Sequence, residues 1–203
     1  MQKLKTINSL LISILLIVFL VGACKISQQT NRYNNNATRI SALPVIENQL
    51  IKLKTKIKFK KSLISGITAY KLSNDTISGV FMNEFGIKAF EFVIYEDKCI
   101  INNIIKPLDK WYIRNTIKSD FEFIFNRLSI DNTDYIIYKS RENKKCFYSY
   151  YFSKTSLSKV KRFNRNNLTG TIKILSDTSI IVENCKKNVE YNFSIINYHE
   201  LRK

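Results

Sequence analysis

The chain's one histidine, His199, sits in an alternating apolar segment three residues before Arg202. Hydrolases built on a serine or cysteine nucleophile use a histidine base, and no Gly-x-Ser-x-Gly turn accompanies His199. An exposed strand position is its expected role. Cys99, Cys146 and Cys185 lack Cys-x-x-Cys spacing and imply no zinc site. An oxidising compartment allows one disulfide among them, with the pair not readable from sequence, while their apolar strand contexts suit buried free thiols equally well. The acidic pairs Asp131/Asp134 and Glu96/Asp97 stand in polar clusters and are expected to close turns rather than bind calcium or cleave glycosides. SKVKRFNRN, residues 158–166, sets Phe163 among cations as a nucleic-acid surface would, but a basic strand edge and turn produce the same run. With five glycines and no phosphate loop, the expectation is a protein with no catalytic residue, no metal and no nucleic-acid partner.

The chemistry that remains is at the N-terminus. MQKLKTINS carries Lys3 and Lys5 and no acid, and Leu10 to Ala23 is an apolar run. That run is shorter than the roughly 20 residues of a membrane span and has the basic, apolar, small-residue order of a secretory signal. Val21, Gly22 and Ala23 then precede Cys24, a sequence that resembles the lipobox of bacterial lipoproteins. The resemblance implies cleavage before Cys24, with diacylglyceryl and N-acyl groups joined to that residue and no other cofactor. Several acyl chains together hold a protein to a membrane where one binds only marginally. Lys25 follows instead of the aspartate that marks inner-membrane retention in enterobacterial lipoproteins, so outer-membrane anchoring facing the periplasm is implied. SQQTNRYNNN, residues 27–36, has the polar composition of a disordered spacer. The expected organisation is a signal peptide over 1–23, a lipidated N-terminus and tether over 24–45, and one domain over 46–203.

Loss of Lys3 and Lys5 with the signal takes 33 basic residues to 31 against 16 acidic ones. Such a balance can mean nucleic acid. An envelope address and a composition rich in Ile, Asn and Lys instead assign most lysines to solvated strand faces, with adhesion to anionic headgroups as a secondary role.

Two periodicities run along the body. In IKLKTKIKFKK, residues 51–61, lysines fill the even positions from 52 to 60, and Ile51, Leu53, Thr55, Ile57 and Phe59 fill the odd ones. Side chains alternate across a strand, so this is a half-buried strand with a lysine face. A short helix is expected just before it, with Pro44 near its first turn. Strands follow at 63–72, 77–85 and 87–95, separated by SNDT and Gly86 and closed by EDK before CIINNII, as an antiparallel meander. Phe90, Phe92 and Ile94 share one face of the third, and its other face, with Ala89, Val93 and Tyr95, reads as covered too. From Leu108 the period changes: apolar residues at Trp111, Tyr112, Ile113, Ile117, Phe121, Ile124, Phe125 and Leu128 predict an amphipathic helix of about five turns lying across the sheet. Beyond DNTD alternation returns through Leu201. The sum is a mainly β, α+β domain of roughly ten strands with one long helix.

That order is similar to the LolA/LolB lipoprotein-carrier superfamily, in which an antiparallel incomplete barrel is lidded by helices. SGVFMNEFGIKAFEF and KSDFEFIF also look like segments of outer-membrane lipoproteins from Bacteroidota, over roughly residues 45–130. The carrier resemblance implies a concave face that takes an acyl chain or a lipoprotein's acyl groups, lined by Phe90, Phe92 and Ile94 with Trp111, Ile117, Phe121 and Phe125 on the lid. The alternative is the same fold with a filled core, serving as an accessory lipoprotein in an envelope protein complex. An open pocket and a packed core ask for the same aromatic face.

Overall fold

Strand β2 (Leu50–Phe59) carries the alternation intact: Ile51, Leu53 and Thr55 are buried while Lys54, Lys56 and Lys58 are exposed. The computed structural model describes residues 38–130, 137–141, 146–153 and 156–199. Cys24, the signal, the spacer and the Asp131/Asp134 pair lie outside the described residues.

The strands after β2 are β3 (Ser62–Ser73), β4 (Thr76–Asn83), β5 (Lys88–Tyr95) and β6 (Lys98–Asn102). After helix α1 (Trp111–Ile124) come β8 (Ile137–Arg141), β9 (Cys146–Ser153), β10 (Ser156–Asn164), β11 (Asn167–Ser176), β12 (Ser179–Asn184) and β13 (Val189–His199). They form one antiparallel sheet of eleven strands in the order β6-β5-β4-β3-β2-β13-β12-β11-β10-β9-β8. β6 and β8 are its edges, so the barrel is incomplete. A separate two-stranded ribbon pairs β1 (Thr38–Ile40) with β7 (Leu128–Ile130). Turn chemistry matches the hairpins. Asn74-Asp75 and Glu96-Asp97 each have positive φ at both residues, the requirement of the tight turn that matches strand twist. Glu96 and Asp97 therefore close the β5–β6 turn.

One face of the sheet is mainly apolar. Phe81, Phe90, Phe92, Ile94, Tyr70, Tyr191, Phe193, Tyr148 and Val160 point to it from six strands, and α1 lies on it with Ile117, Phe121, Phe123 and Ile124 buried. Phe121 meets Phe92 and Tyr191, and Phe123 stacks on Tyr148. Rings from β5, β13 and β9 thus converge on one helix, so the sheet curls around α1. The helix also covers an edge. Glu122 accepts a hydrogen bond from the Cys99 amide at 3.0 Å, and the Arg114 guanidinium donates to the Ile101 carbonyl at 2.9 Å, occupying backbone groups of β6 that would otherwise invite another strand.

Four expectations are corrected. The helix ends at Ile124, about four turns, rather than at Leu128. Phe125 leaves helical geometry (φ −96°, ψ 9°), the Tyr150 hydroxyl holds Asn126, and Leu128 belongs to β7. No helix forms around Pro44. Its carbonyl accepts the Tyr70 hydroxyl at 2.6 Å and Leu43 is buried, which draws the segment out along the core. For the same reason the folded body reaches back to Thr38, so residues 38–45 are not tether. Finally, the second face of β5 is covered only in part: Ala89 is buried and Val93 half-buried, while Tyr95 is exposed.

Candidate functional site

The residues expected to line a cavity are together, and they fill it. Phe90, Phe92 and Phe121 are inaccessible to solvent, Ile94, Ile117 and Phe125 nearly so. Phe121 meets Phe90 and Phe92 edge-on at ring distances of 5.4 and 4.8 Å, and Phe125 meets Tyr70 at 4.9 Å. Such edge-to-face contacts add to the burial of each ring. Close approach makes this packing possible at Gly79, where a Cβ would lie 2.3 Å from the Phe92 ring. Trp111 is the exception: it is 76% exposed. A helix turns about 100° per residue, so Trp111 lies well round from the Ile117–Phe121–Ile124 stripe. It stands with Tyr112 at the rim of a polar hollow of about 260 Å³ that Arg162, Asn184, Lys186 and Lys187 also line.

The apolar stripe of α1 contains one carboxylate, and sequence reasoning did not single it out. Asp120 is 1% exposed. Its Oδ1 accepts from Asn184 Nδ2 at 2.7 Å and from Arg162 Nη2 at 3.3 Å, and its Oδ2 accepts from the Tyr191 hydroxyl at 2.9 Å. Arg162 also donates to the Ser119 carbonyl at 2.8 Å, and its guanidinium lies over the Phe123 ring, 4.7 Å from the centroid. Burial pushes the Asp120 carboxyl up, against the opposing pull of Arg162 and the hydrogen bonds. Burial, then the Asp120 charge, raises the Tyr191 phenol well above its usual range, so it stays a donor. A buried charge left without its partner is strongly destabilising, so these groups clasp α1 to β10, β12 and β13. Arg162 belongs to SKVKRFNRN, and its inward turn answers that segment's chemistry: the arginine serves the core.

Open apolar volume lies elsewhere on the same concave face. Residues 40–44 cross it at the end away from the hollow under Trp111, leaving a cleft of about 330 Å³. Ile40, Leu43, Leu157, Ile180, Phe193 and Ile195 supply its apolar wall. That size is at the lower end of the range of roughly 300–1,000 Å³ for small-molecule sites. Phe193 stacks on Tyr191, which touches Phe121, so the cleft wall is continuous with the aromatic core. Alternation in β10, β12 and β13 was the available signal for Leu157, Ile180, Phe193 and Ile195. Nothing in the sequence places Ile40 and Leu43 beside them.

Cys99 and Cys185 are free thiols, the first buried and the second exposed. Burial, then the nearby Glu122 carboxylate, pushes the Cys99 thiol up to about 12. His199 takes a strand position opposite Leu50 at the end of β13. Among the described residues no group of three His, Cys, Asp or Glu side chains could hold a metal ion.

No family model matches the chain and no curated protein matches it. Solved structures match it over about three quarters of its length at low identity. One is an outer membrane lipoprotein-sorting protein domain, so described, from Vibrio parahaemolyticus, with TM-score 0.44 and 10% identity over 78% of this chain and 87% of that one. Another is a LolA superfamily protein from Nitrosomonas europaea, with TM-score 0.40 and 10% identity over 77% and 87%. A third is an exported protein with a YmcC-like fold from Bacteroides fragilis, with TM-score 0.31 and 11% identity over 78% and 98%. Likeness of this degree carries nothing about ligand or activity; the described residues form, by their own strand order, an open antiparallel sheet of eleven strands curled around one α-helix.

Proposed function

We propose that the protein is a non-enzymatic, lipid-anchored envelope protein that holds an acyl chain on its concave face during lipid or lipoprotein handling. The supporting observation is the cleft beneath residues 40–44, whose apolar wall is continuous with the aromatic core, with Ser156, Asp177 and Thr178 also in its lining. A chain entering there would be stabilised by about 25 cal/mol for each Å² of apolar surface removed from water. Further length would be accommodated under α1, by displacing Phe121 and Phe125 from Phe92. Anchoring rests on the lipobox-like residues before Cys24, and outer-membrane placement on the lysine that follows it. A carrier's cargo or an envelope complex would be the partner, with membrane contact through the acyl groups of Cys24.

One observation favours the second reading, an accessory lipoprotein with a filled core: Phe90, Phe92, Phe121 and Phe125 already occupy one another's space. Native mass spectrometry of residues 26–203, offered a long-chain fatty acid, separates the two. Stoichiometric adducts that disappear in Leu157→Asp, with its melting temperature retained, support the cleft. A clean mass after lipid is offered moves the assignment to the filled core.

A further inference from the structure

The face of the sheet turned away from α1 carries two features side by side. Lys52, Lys54, Lys56 and Lys58 run in a column along β2, spanning about 20 Å at 3.3 Å per residue. Lys54 and Lys56 stand opposite Ser194 and Asn192 on β13 and Ile67 and Ser65 on β3, so no acid faces them across the sheet. Only Lys58 has one opposite, Glu190. Beside the column, the outward positions of β3 to β6 mix apolar residues, Leu63, Ile67, Val80, Met82, Val93 and Ile100, with polar ones that include Ser65, Ser78 and Glu91, the last paired with Lys88. Leu63 and Ile100 are 62% and 57% exposed. Apolar side chains interleaved with lysines on one exposed face suit a surface that is itself part charged and part apolar.

We propose that this outer face lies on the surface of an anionic bilayer, with the lysine column among the phosphate headgroups and the exposed Leu63, Ile67 and Ile100 side chains reaching toward the acyl boundary. The charge is of the right sign, in a chain with 33 basic and 16 acidic residues. Attraction to a charged leaflet fades within a Debye length of about 10 Å, so only residues on the apposed face act. The shape fits as well: the outside of a curled sheet meets a plane along a stripe, and a column on one strand is such a stripe. A soluble polyanion would engage the lysines and leave Leu63, Ile67 and Ile100 wet, whereas a lipid surface satisfies both. This inference is independent of the acyl-chain cleft, which opens on the opposite side of the sheet.

Lysine footprinting on the full chain tests it. The protein is reconstituted in vesicles of phosphatidylcholine, or of equimolar phosphatidylcholine and phosphatidylglycerol, and acetylation is followed residue by residue by mass spectrometry. Lys52, Lys54 and Lys56 should react about fivefold more slowly or less in the anionic vesicles, the weight of one lysine near such a surface. Lys118, exposed on α1, should keep its rate. Salt near 1 M, where the Debye length is about 3 Å, should abolish the protection. Ile67→Asp with Ile100→Asp should abolish it too, at an unchanged melting temperature. Equal rates in the two vesicle types, or equal slowing of Lys118, would overturn the proposal. Protection that follows protein density in neutral vesicles would overturn it as well and assign the face to a second copy of the chain.

Discussion

The two flanks of α1 are held by different physics. Toward β3 and β5 its contacts are rings: Phe121 and the capping Phe125 against Phe90, Phe92 and Tyr70. Toward β9, β10, β12 and β13 ring contacts to Tyr148 and Tyr191 are joined by directed bonds, with Asp120 taking donors from Arg162, Asn184 and Tyr191. Apolar contact has no direction, so one greasy group can replace another at modest cost. A buried carboxylate accepts only partners of complementary charge and geometry, and fixes the helix in register. The ring side is therefore where a ligand could intrude, and the clasp is where the helix would stay attached.

The sharpest way to break this contrast is Arg162→Ala, which leaves Asp120 buried without its cation and should cost about 3–5 kcal/mol in urea unfolding. Replacing both partners, as Arg162→Met with Asp120→Leu, should recover most of that loss. Next comes alkali. The Cys99 thiol ordinarily ionises near 9 and in the folded chain near 12. The folded state therefore keeps a proton that the unfolded state releases. This contribution is whole below pH 9 and falls by about 1.4 kcal/mol per pH unit above it, until the folded thiol ionises. Cys99→Ala should flatten that part of the stability profile, and an unchanged slope would show that the side beneath Glu122 is wet. Third, Phe121→Leu should cost no more than about 1.5–2 kcal/mol, because the neighbouring rings can close on a smaller apolar group. A loss as large as that of Arg162→Ala would erase the distinction between the flanks. Smallest of all, Trp111→Ala should move stability by less than about 0.5 kcal/mol, being exposed and off the stripe.

Much of the fold was legible because alternation is local information. The lysine face of β2, the phenylalanine face of β5 and the hairpin turns can each be read within ten residues. The helix was legible over Ile117–Ile124 for the same reason. Its false continuation to Leu128 kept the spacing but not the geometry, since residues 128–130 are taken by β1, a partner about ninety positions earlier. Trp111 shares the apolar character of the stripe without its angle. Asp120 escaped because a carboxylate in a helix reads as solvated until its partners are known, and those lie 42, 64 and 71 residues away. The cleft was hidden likewise, one wall being supplied by residues 40–44 and the other by the last third of the chain.

The sheet's strand order has a kinetic meaning. Every adjacent pair in it is a hairpin between chain neighbours except one, β2 with β13, which sets Phe59 opposite Val189 and Leu50 opposite His199. Strands β2 to β6 and β8 to β13 can each zip up by short loop closures, but joining them requires the two ends of the domain to meet. The entropy of closing so long a loop is spent before any contact rewards it. Folding of this protein is thus expected to be slow at its seam, with two preassembled meanders awaiting a single pairing, and the β-branched Ile51 and Ile57 side chains waiting on the unjoined edge.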